Sequence, residues 1–300
     1  MERKILAIGE ILWDLLPGGK ALGGAPLNFA FWAARKGFPA AAISAIGRDP
    51  LGEEILKITG NLGVDLSALQ INEFPTGTVG VTLSSDGTPA YTIHEGVAWD
   101  NIKDSPQAYE LAGEALAVCW GSLAQRTEDC RAAMLRIIDA TPKDCLKVFD
   151  INLRQHFYCR ETIEASLRRA DILKLNEEEL PIVEEMLGLG SPEAVMEAYN
   201  LKYLVHTCGS EKSEIYGMAT SRCGEQISGG NLLVPGAQGH PVLLSSIPTP
   251  KVEVVSTVGA GDAFTATFVA DILSGQAPEQ AHQDAVKVSA GVCTQAGAMF

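Results

Sequence analysis

VVSTVGAGDAFTATFVADILSG, residues 254–275, joins a glycine-rich turn to an apolar segment. From Asp262 onward, Phe264, Phe268 and Ile272 recur at i, i+4 and i+8, with Val269 and Leu273 beside them, and Ser274-Gly275 ends the run. That spacing predicts a helix burying one broad face. Gly259-Ala260-Gly261 then falls at its N-terminus, where backbone N–H groups have no intrahelical acceptor and the macrodipole is positive. Small residues let an anion approach those amides closely, and Asp262 stands beside it. A carboxylate here can serve as a plain helix cap, worth about 0.5–2 kcal/mol. Three small residues exceed what a cap needs, and a carboxylate next to a bound phosphate has a chemical task, removing the proton from an attacking hydroxyl.

Outward from this helix, short and mostly continuous apolar runs recur: Ile5–Ile8, Ala42–Ile46, Leu116–Trp120, Leu146–Phe149, Ile172–Leu175 and Tyr203–His206. Strands buried on both faces of a parallel sheet read this way. Helical patterns separate them: Pro26–Lys36 up to Gly37, then 49–62, 128–140, 162–169, 177–187, 192–199 and 278–293. The alternation predicts a three-layer α/β sandwich around a central, mostly parallel sheet. A second pattern interleaves Val79, Val81 and Leu83 with Thr78, Gly80 and Thr82, then Ser84–Thr88 and Ala90–Ile93. That predicts an antiparallel hairpin with one wetter face, outside the main sheet, as a flap or lid. Residues 221–250 are rich in Gly, Pro and Ser and predict loops with irregular strands.

The 300 residues carry a formal net charge of −14, with no cluster of Lys or Arg, which argues against nucleic acid or an anionic membrane as the main partner. An acidic chain can still bind a phosphorylated ligand through local amides and one or two placed cations. Apolar runs stay too short for a membrane-crossing helix, and Glu10 and Asp14 interrupt the signal-like N-terminus. Seven cysteines without a C-x-x-C pair predict reduced thiols and a cytoplasmic protein.

There is no Walker A loop and no G-x-G-x-x-G after the first strand. Instead the first strand leads to Gly9-Glu10-Ile11-Leu12-Trp13-Asp14, and a second glycine-rich turn, Gly23-Gly24-Ala25-Pro26-Leu27-Asn28, opens a helix. Asp14 and Asn28 are a carboxylate and an amide, groups suited to gripping vicinal hydroxyls. These motifs and TVGAGDAF, in this order and spacing, resemble the PfkB (ribokinase-like) family of carbohydrate kinases, especially its fructokinase branch. Gly47-Arg48-Asp49-Pro50-Leu51-Gly52, Asp150-Ile151-Asn152-Leu153-Arg154 and Lys174-Leu175-Asn176-Glu177-Glu178-Glu179 extend the resemblance over nearly the whole chain.

The resemblance implies one ribokinase-like domain over residues 1–300, with a β lid from about 10–22 and 74–100. It implies transfer of the ATP γ-phosphoryl group to a sugar hydroxyl, with ATP and Mg²⁺ required. Asp262 would be the base, and the Gly259, Ala260 and Gly261 amides the anion hole. Asp14, Gly24 and Asn28 would hold the sugar, with Arg154 on substrate or phosphates. Asn176, Thr207 and Gly209 would line the nucleotide site, and Glu179 would lie near water-coordinated Mg²⁺. Fructose is the expected sugar. The alternatives are another sugar or sugar acid, such as 2-keto-3-deoxygluconate or ribose, or a sugar-binding regulator of the same fold. Free strand edges in the lid invite a homodimer.

Three departures stand out. Ser256 replaces the Asp with which many members hold a monovalent cation, so a K⁺ requirement does not carry over. Lys212 replaces the last Gly of a T-x-G-x-x-G loop that here reads Thr207-Cys208-Gly209-Ser210-Glu211-Lys212, implying an altered turn or a cation facing the phosphates. His94-Glu95-Gly96-Val97-Ala98-Trp99-Asp100 lacks the basic residue that many fructokinases carry before their A-D pair.

Overall fold

A computed structural model describes residues 2–16, 18–83, 89–220 and 239–300. The apolar runs form the parallel strands β1 (Lys4–Ile8), β4 (Ala40–Ile43), β10 (Ala115–Trp120), β11 (Leu146–Asp150), β12 (Ile172–Asn176) and β13 (Tyr203–Cys208). Two edge elements complete the main sheet: short β6 (Val64–Asp65) beyond β4, and antiparallel β14 (Lys212–Thr220) and β15 (Gly239–Pro248) beyond β13. The order is β15-β14-β13-β12-β11-β10-β1-β4-β6, so the chain reverses its direction of travel across the sheet between β1 and β10. Open α/β sheets bind ligands outside the carboxyl ends of the strands at such a reversal.

Residues of alternate parity point to opposite faces of a strand, and both faces are apolar here. Leu6, Ile8, Val118, Trp120, Phe149 and Leu173 lie in one buried cluster with residues of α3 (Pro106–Gly113), α4 (Glu128–Asp139), α5 (Arg160–Leu167), α6 (Glu179–Leu187) and α7 (Pro192–Tyr199). Ile5, Ala7, Ala117, Cys119, Val148 and Ile172 lie in the other, with residues of α1 (Ala25–Arg35), α8 (Ala260–Leu273) and α9 (Pro278–Cys293). This is the three-layer sandwich the alternation predicts.

A separate four-stranded sheet, order β3-β2-β8-β9, consists of β2 (Leu12–Leu16), β3 (Gly19–Gly23), β8 (Gly77–Leu83) and β9 (Pro89–Ile93). β8 and β9 pair antiparallel with Val79 opposite Ile93, both buried against the main core. The predicted turn 84–88 lies outside the described residues. Arg126, ahead of α4, holds the segment after β9. Its guanidinium pairs with Asp100 at 2.6 Å, donates to the His94 carbonyl and stacks 4.0 Å from the Trp99 ring, with both charges buried.

One sequence reading needs correction, and one helix lies outside the predicted set. The run Ala42–Ile46 is two strands, because the chain leaves the main sheet at Ser44 and β5 (Ala45–Gly47) pairs with β7 (Gln70–Asn72) instead. Residues 12–16 and 19–23, in the segment the resemblance assigns to a β lid, pair antiparallel as β2 and β3. Helix α3 went unrecognised, although Ser105-Pro106 marks its start and the Ser105 hydroxyl accepts from the Ala108 amide. Within the stretch expected to form loops and irregular strands, residues 239–248 are a ten-residue strand along β14, with a register shift between Ile215 and Tyr216; residues 221–238 lie outside the described residues.

Candidate functional site

Helix α8 begins where the opening stretch predicts. Gly259 has φ 79°, a left-handed conformation, and a Cβ there would fall 2.3 Å from the Ala298 Cβ, so only glycine fits. Asp262 lies in the first turn of α8. Its Oδ2 accepts a 2.8 Å hydrogen bond from Asn28 Nδ2. Asn28 comes from the first turns of α1, which packs on α8, so the two glycine-rich turns meet across 234 residues of chain. Gly24, just before α1, has φ 111°, and a Cβ there would stand 2.3 Å from the Glu10 carbonyl oxygen. That close approach draws the loop after β1 against the start of α1.

Burial pushes the Asp262 carboxyl up to about 6, and the neighbouring Asp150 charge adds to it; the Asn28 bond and the Lys174 and Arg154 charges pull the other way. Such a carboxylate is ionised at neutral pH yet is a better base than an exposed one. Lys174 and Asp150 are register partners on β12 and β11, both buried, with Nζ 3.1 Å from Oδ1. Burial disfavours the ammonium, but the carboxylates of Asp150, Glu179 and Asp262 outweigh it and raise its pKa. A Cβ on Gly261 would be 3.3 Å from Lys174 Nζ, so this fixed cation borders the amides at the start of α8. Thr265, one turn into α8, bonds Asp150 Oδ2 and the Gly261 carbonyl and so ties helix to strand.

Arg154 follows β11 in a loop whose neighbours Asn152 (φ 45°) and Gln155 (φ 50°) are left-handed. It is exposed, and its charge counters the burial-driven rise in pKa at Glu10, Asp14 and Asp262 alike, so it lies within electrostatic reach of all three. Asp14, on β2, is partly buried with its pKa raised by that burial. Its carboxylate lies against Gly23, where a Cβ would come within 2.8 Å. Asn28, Gly24, Asp14, Arg154 and the α8 turn therefore gather at one place, between the main sheet and the four-stranded sheet.

The remaining predicted residues line the adjoining strand ends. Asn176 and Thr207 are register partners at the ends of β12 and β13. The Asn176 side-chain oxygen accepts from the Glu178 and Glu179 amides and so starts α6. Thr207 accepts from the Glu177 amide through its carbonyl. Gly209 has φ 46°, and its carbonyl accepts from the Thr249 hydroxyl. Glu179 is buried, each carboxylate oxygen accepting one backbone amide at 2.8 Å, from Leu153 and Asn176. Its first task is thus to clamp the ends of β11 and β12. Lys212 does not project freely, because its ammonium bonds Glu214 Oε1 at 2.6 Å. Ser256 spends its hydroxyl on the Val258 amide, a local turn.

Sequence reasoning gave no role to Lys174, Asp150 or Glu10. Lys174 sits inside an otherwise apolar buried strand, ILKLN, and Asp150 ends the neighbouring one; a charge inside a buried run is the signal that identifies them. Glu10 is 3% exposed with Oε2 lacking a partner, and burial pushes its carboxyl up to about 7.

The model of the pfkB carbohydrate kinase family matches residues 18–300. The chain belongs to that family. A fructokinase of Klebsiella pneumoniae is 28% identical over 295 residues, covering 93% of this chain and 87% of that protein. Fructokinase-1 of Oryza sativa is 28% identical over 293 residues, covering 90% and 83%. Among solved structures, a sugar kinase from Pyrococcus horikoshii in complex with ATP aligns with TM-score 0.76 at 25% identity, covering 98% of this chain and 93% of that one. The fructokinase from Xylella fastidiosa with bound ATP shares the fold, with TM-score 0.79 at 20% identity over all of this chain and 95% of its own. This kinase is thus an α/β ribokinase-like enzyme that acts on carbohydrate. Among its described residues, no helix is long and apolar enough to cross a membrane.

Proposed function

We propose that this kinase transfers the ATP γ-phosphoryl group to a hydroxyl of an unphosphorylated hexose, with fructose the first choice. The observation that carries the reading is the Asn28–Asp262 bond at the mouth of α8, which puts a raised-pKa carboxylate beside the first amides of α8, where the Ala260 amide rests on the Thr257 carbonyl, and beside the Lys174 ammonium. Asp262 takes the proton from the acceptor hydroxyl at Oδ1 while Asn28 holds Oδ2. The amides of Gly259, Ala260 and Gly261 receive the charge on the transferred group. Asp14 and Asn28 bind neighbouring sugar hydroxyls, with Gly24 keeping the backbone close, and Arg154 bridges sugar and phosphate. Asn176, Thr207 and Gly209 take the nucleotide. The four-stranded sheet serves as a lid that excludes water and limits ATP hydrolysis, and its free edge β9 or β3 pairs with a second copy in a dimer.

Glu179 is anionic and buried beside Lys174, but both its oxygens already accept amides. That fits a Mg²⁺ held through its water shell rather than by direct ligation. When bound, Mg²⁺ neutralises phosphate charge. Position 256 is Ser, whose hydroxyl oxygen accepts from the Val258 amide, so the family's K⁺ requirement does not carry over to this chain. Seven cysteines without a C-x-x-C pair support a cytoplasmic enzyme with reduced thiols.

Fructose is supported by the names of the 28%-identical relatives, and its rivals remain 2-keto-3-deoxygluconate and ribose. A coupled ADP-release assay over a panel of ketoses, aldoses and sugar acids tests the choice. The highest kcat/KM should fall on fructose; turnover only on a sugar acid would replace it. Asp262→Asn should lower kcat by several orders of magnitude while sugar binding persists. A chain whose sugar binding persists with no turnover on any sugar, before or after that substitution, would be a regulator instead.

A further inference from the structure

We infer that His206, Cys208 and Glu214 form a binding site for one zinc-class divalent cation at the turn that follows β13. The cluster is separate from the Asp262 end of the site, but Cys208 stands between Thr207 and Gly209, which the proposed function gives to the nucleotide. On antiparallel strands, alternate residues and their cross-strand partners share a face. His206 is opposite Glu214 and Cys208 is opposite Lys212, so imidazole, thiol, carboxylate and ammonium form one block on a single face of the β13–β14 ribbon.

The donor atoms have the spacing a small cation needs. His206 Nδ1 is 3.3 Å from Glu214 Oε2 and 3.7 Å from Cys208 Sγ, and one donor atom from each of the three residues lies within 4.8 Å of the others. Tetrahedral zinc with bonds of about 2.0–2.3 Å sets its ligands roughly 3.3–3.7 Å apart. The His206–Glu214 and His206–Cys208 distances fall in that range, and Sγ, equidistant from both ring nitrogens, must swing toward the Nδ1 lone pair as the cation binds. A nitrogen, a sulfur and an oxygen donor suit zinc and its neighbours, whereas Mg²⁺ and Ca²⁺ take oxygen alone.

The surroundings support the same reading. Tyr216 donates its hydroxyl to Glu214 Oε2 at 3.3 Å, and Lys212 holds the other oxygen, so the carboxylate is oriented from behind. A Lys212–Glu214 ion pair accounts for those two residues but not for a thiol laid 3.7 Å from both ring nitrogens of His206. Glu177, Glu211 and Glu214 set the field at Cys208 against the single charge of Lys212, which favours an arriving cation. Gly209, Ser210 and Glu211 are exposed and give it an entry path. On binding, the Cys208 thiol releases its proton to solvent and the neutral imidazole offers the Nδ1 lone pair. The fourth position is open to water.

The test is a zinc titration of the reduced full-length chain against a chromophoric chelator, with Co²⁺ as a spectroscopic probe. One equivalent should bind, and Co²⁺ should give a thiolate charge-transfer band with tetrahedral d–d absorption. Cys208→Ser should abolish that band and weaken zinc by more than about tenfold. Glu214→Gln should weaken zinc while the band survives, with circular dichroism showing that both variants fold. Equal zinc affinity in wild type and Cys208→Ser, or a band that persists without the Cys208 thiol, would overturn the site. If Cys208→Ser fails to fold, unchanged zinc affinity in both Glu214→Gln and His206→Gln overturns it equally.

Discussion

Asn28→Ala separates the role of Asp262 from general damage to the site. Asn28 Nδ2 donates at 2.8 Å to Asp262 Oδ2 and pulls down a carboxyl that burial, even against this bond, leaves at about 6. A hydrogen bond to a charged acceptor contributes about 1.5–3 kcal/mol. Asp262 keeps partial solvent access, which selects the low end of that range. At about 1.36 kcal/mol per pKa unit, the loss corresponds to roughly one unit. The base works only when deprotonated, so raising its pKa costs activity on the acid side and none on the basic side. The acid limb of kcat/KM, which reports the free enzyme, should thus move from near 6 to about pH 7, one unit higher. Initial rates of ADP release across the neutral and acidic range measure it, with Asp262→Asn as the control that lacks the limb. The plateau will also drop, since Asn28 is proposed to touch the sugar. The reasoning fails if the plateau drops and the limb stays where it was, because Asn28 would then not be holding the titrating base.

The other predictions concern stability and backbone. The Glu10 carboxyl is pushed up to about 7 by burial, above its unfolded value of 4.5, so its contribution is fully present below the unfolded value and lost as pH rises through 7. Glu10→Gln should therefore raise the melting temperature at pH values above 7 by an amount reflecting a few kcal/mol, with no difference below the unfolded value; equal melting curves at all pH values would refute this. His282 is fully buried between the hydroxyls of Ser213 (2.7 Å) and Ser245 (2.8 Å), and burial depresses it to about 4 from 6.5. Its contribution is present above the unfolded value and lost as pH falls through 4, so His282→Gln should flatten acid unfolding in that window, as read by denaturant midpoints. Gly24→Ala drives a Cβ to 2.3 Å from the Glu10 carbonyl at a positive φ. It should cost about 1–3 kcal/mol or more in stability and sharply reduce sugar affinity; wild-type behaviour in a urea melt and a sugar titration would count against the close approach.

What could be read before folding follows from what each signal measures. Continuous apolar runs report burial on two faces, so Ile172–Leu175 and Leu146–Phe149 mark the central strands directly. The same signal cannot report where a chain changes sheets, and so Ala42–Ile46 passes for one strand though Ser44 divides it. Residues 12–23 carry no strand pattern of their own, since Leu15 and Leu16 are exposed and β2 finds its second partner in β8, more than sixty residues on; only the resemblance marked them as part of a β lid. Local spacing located Asp262 and Asn28 separately, and only the packing of α1 on α8 joins them. Lys174 shows the converse. Its strand was plain from sequence, and a charge in such a strand must find a partner or cost several kcal/mol. Asp150, its neighbour across β11 and β12, is that partner. The pair holds a cation beside Gly261 whether or not a ligand is present, so on the proposed reading the charge offered to a phosphate is fixed by the sheet before any substrate arrives.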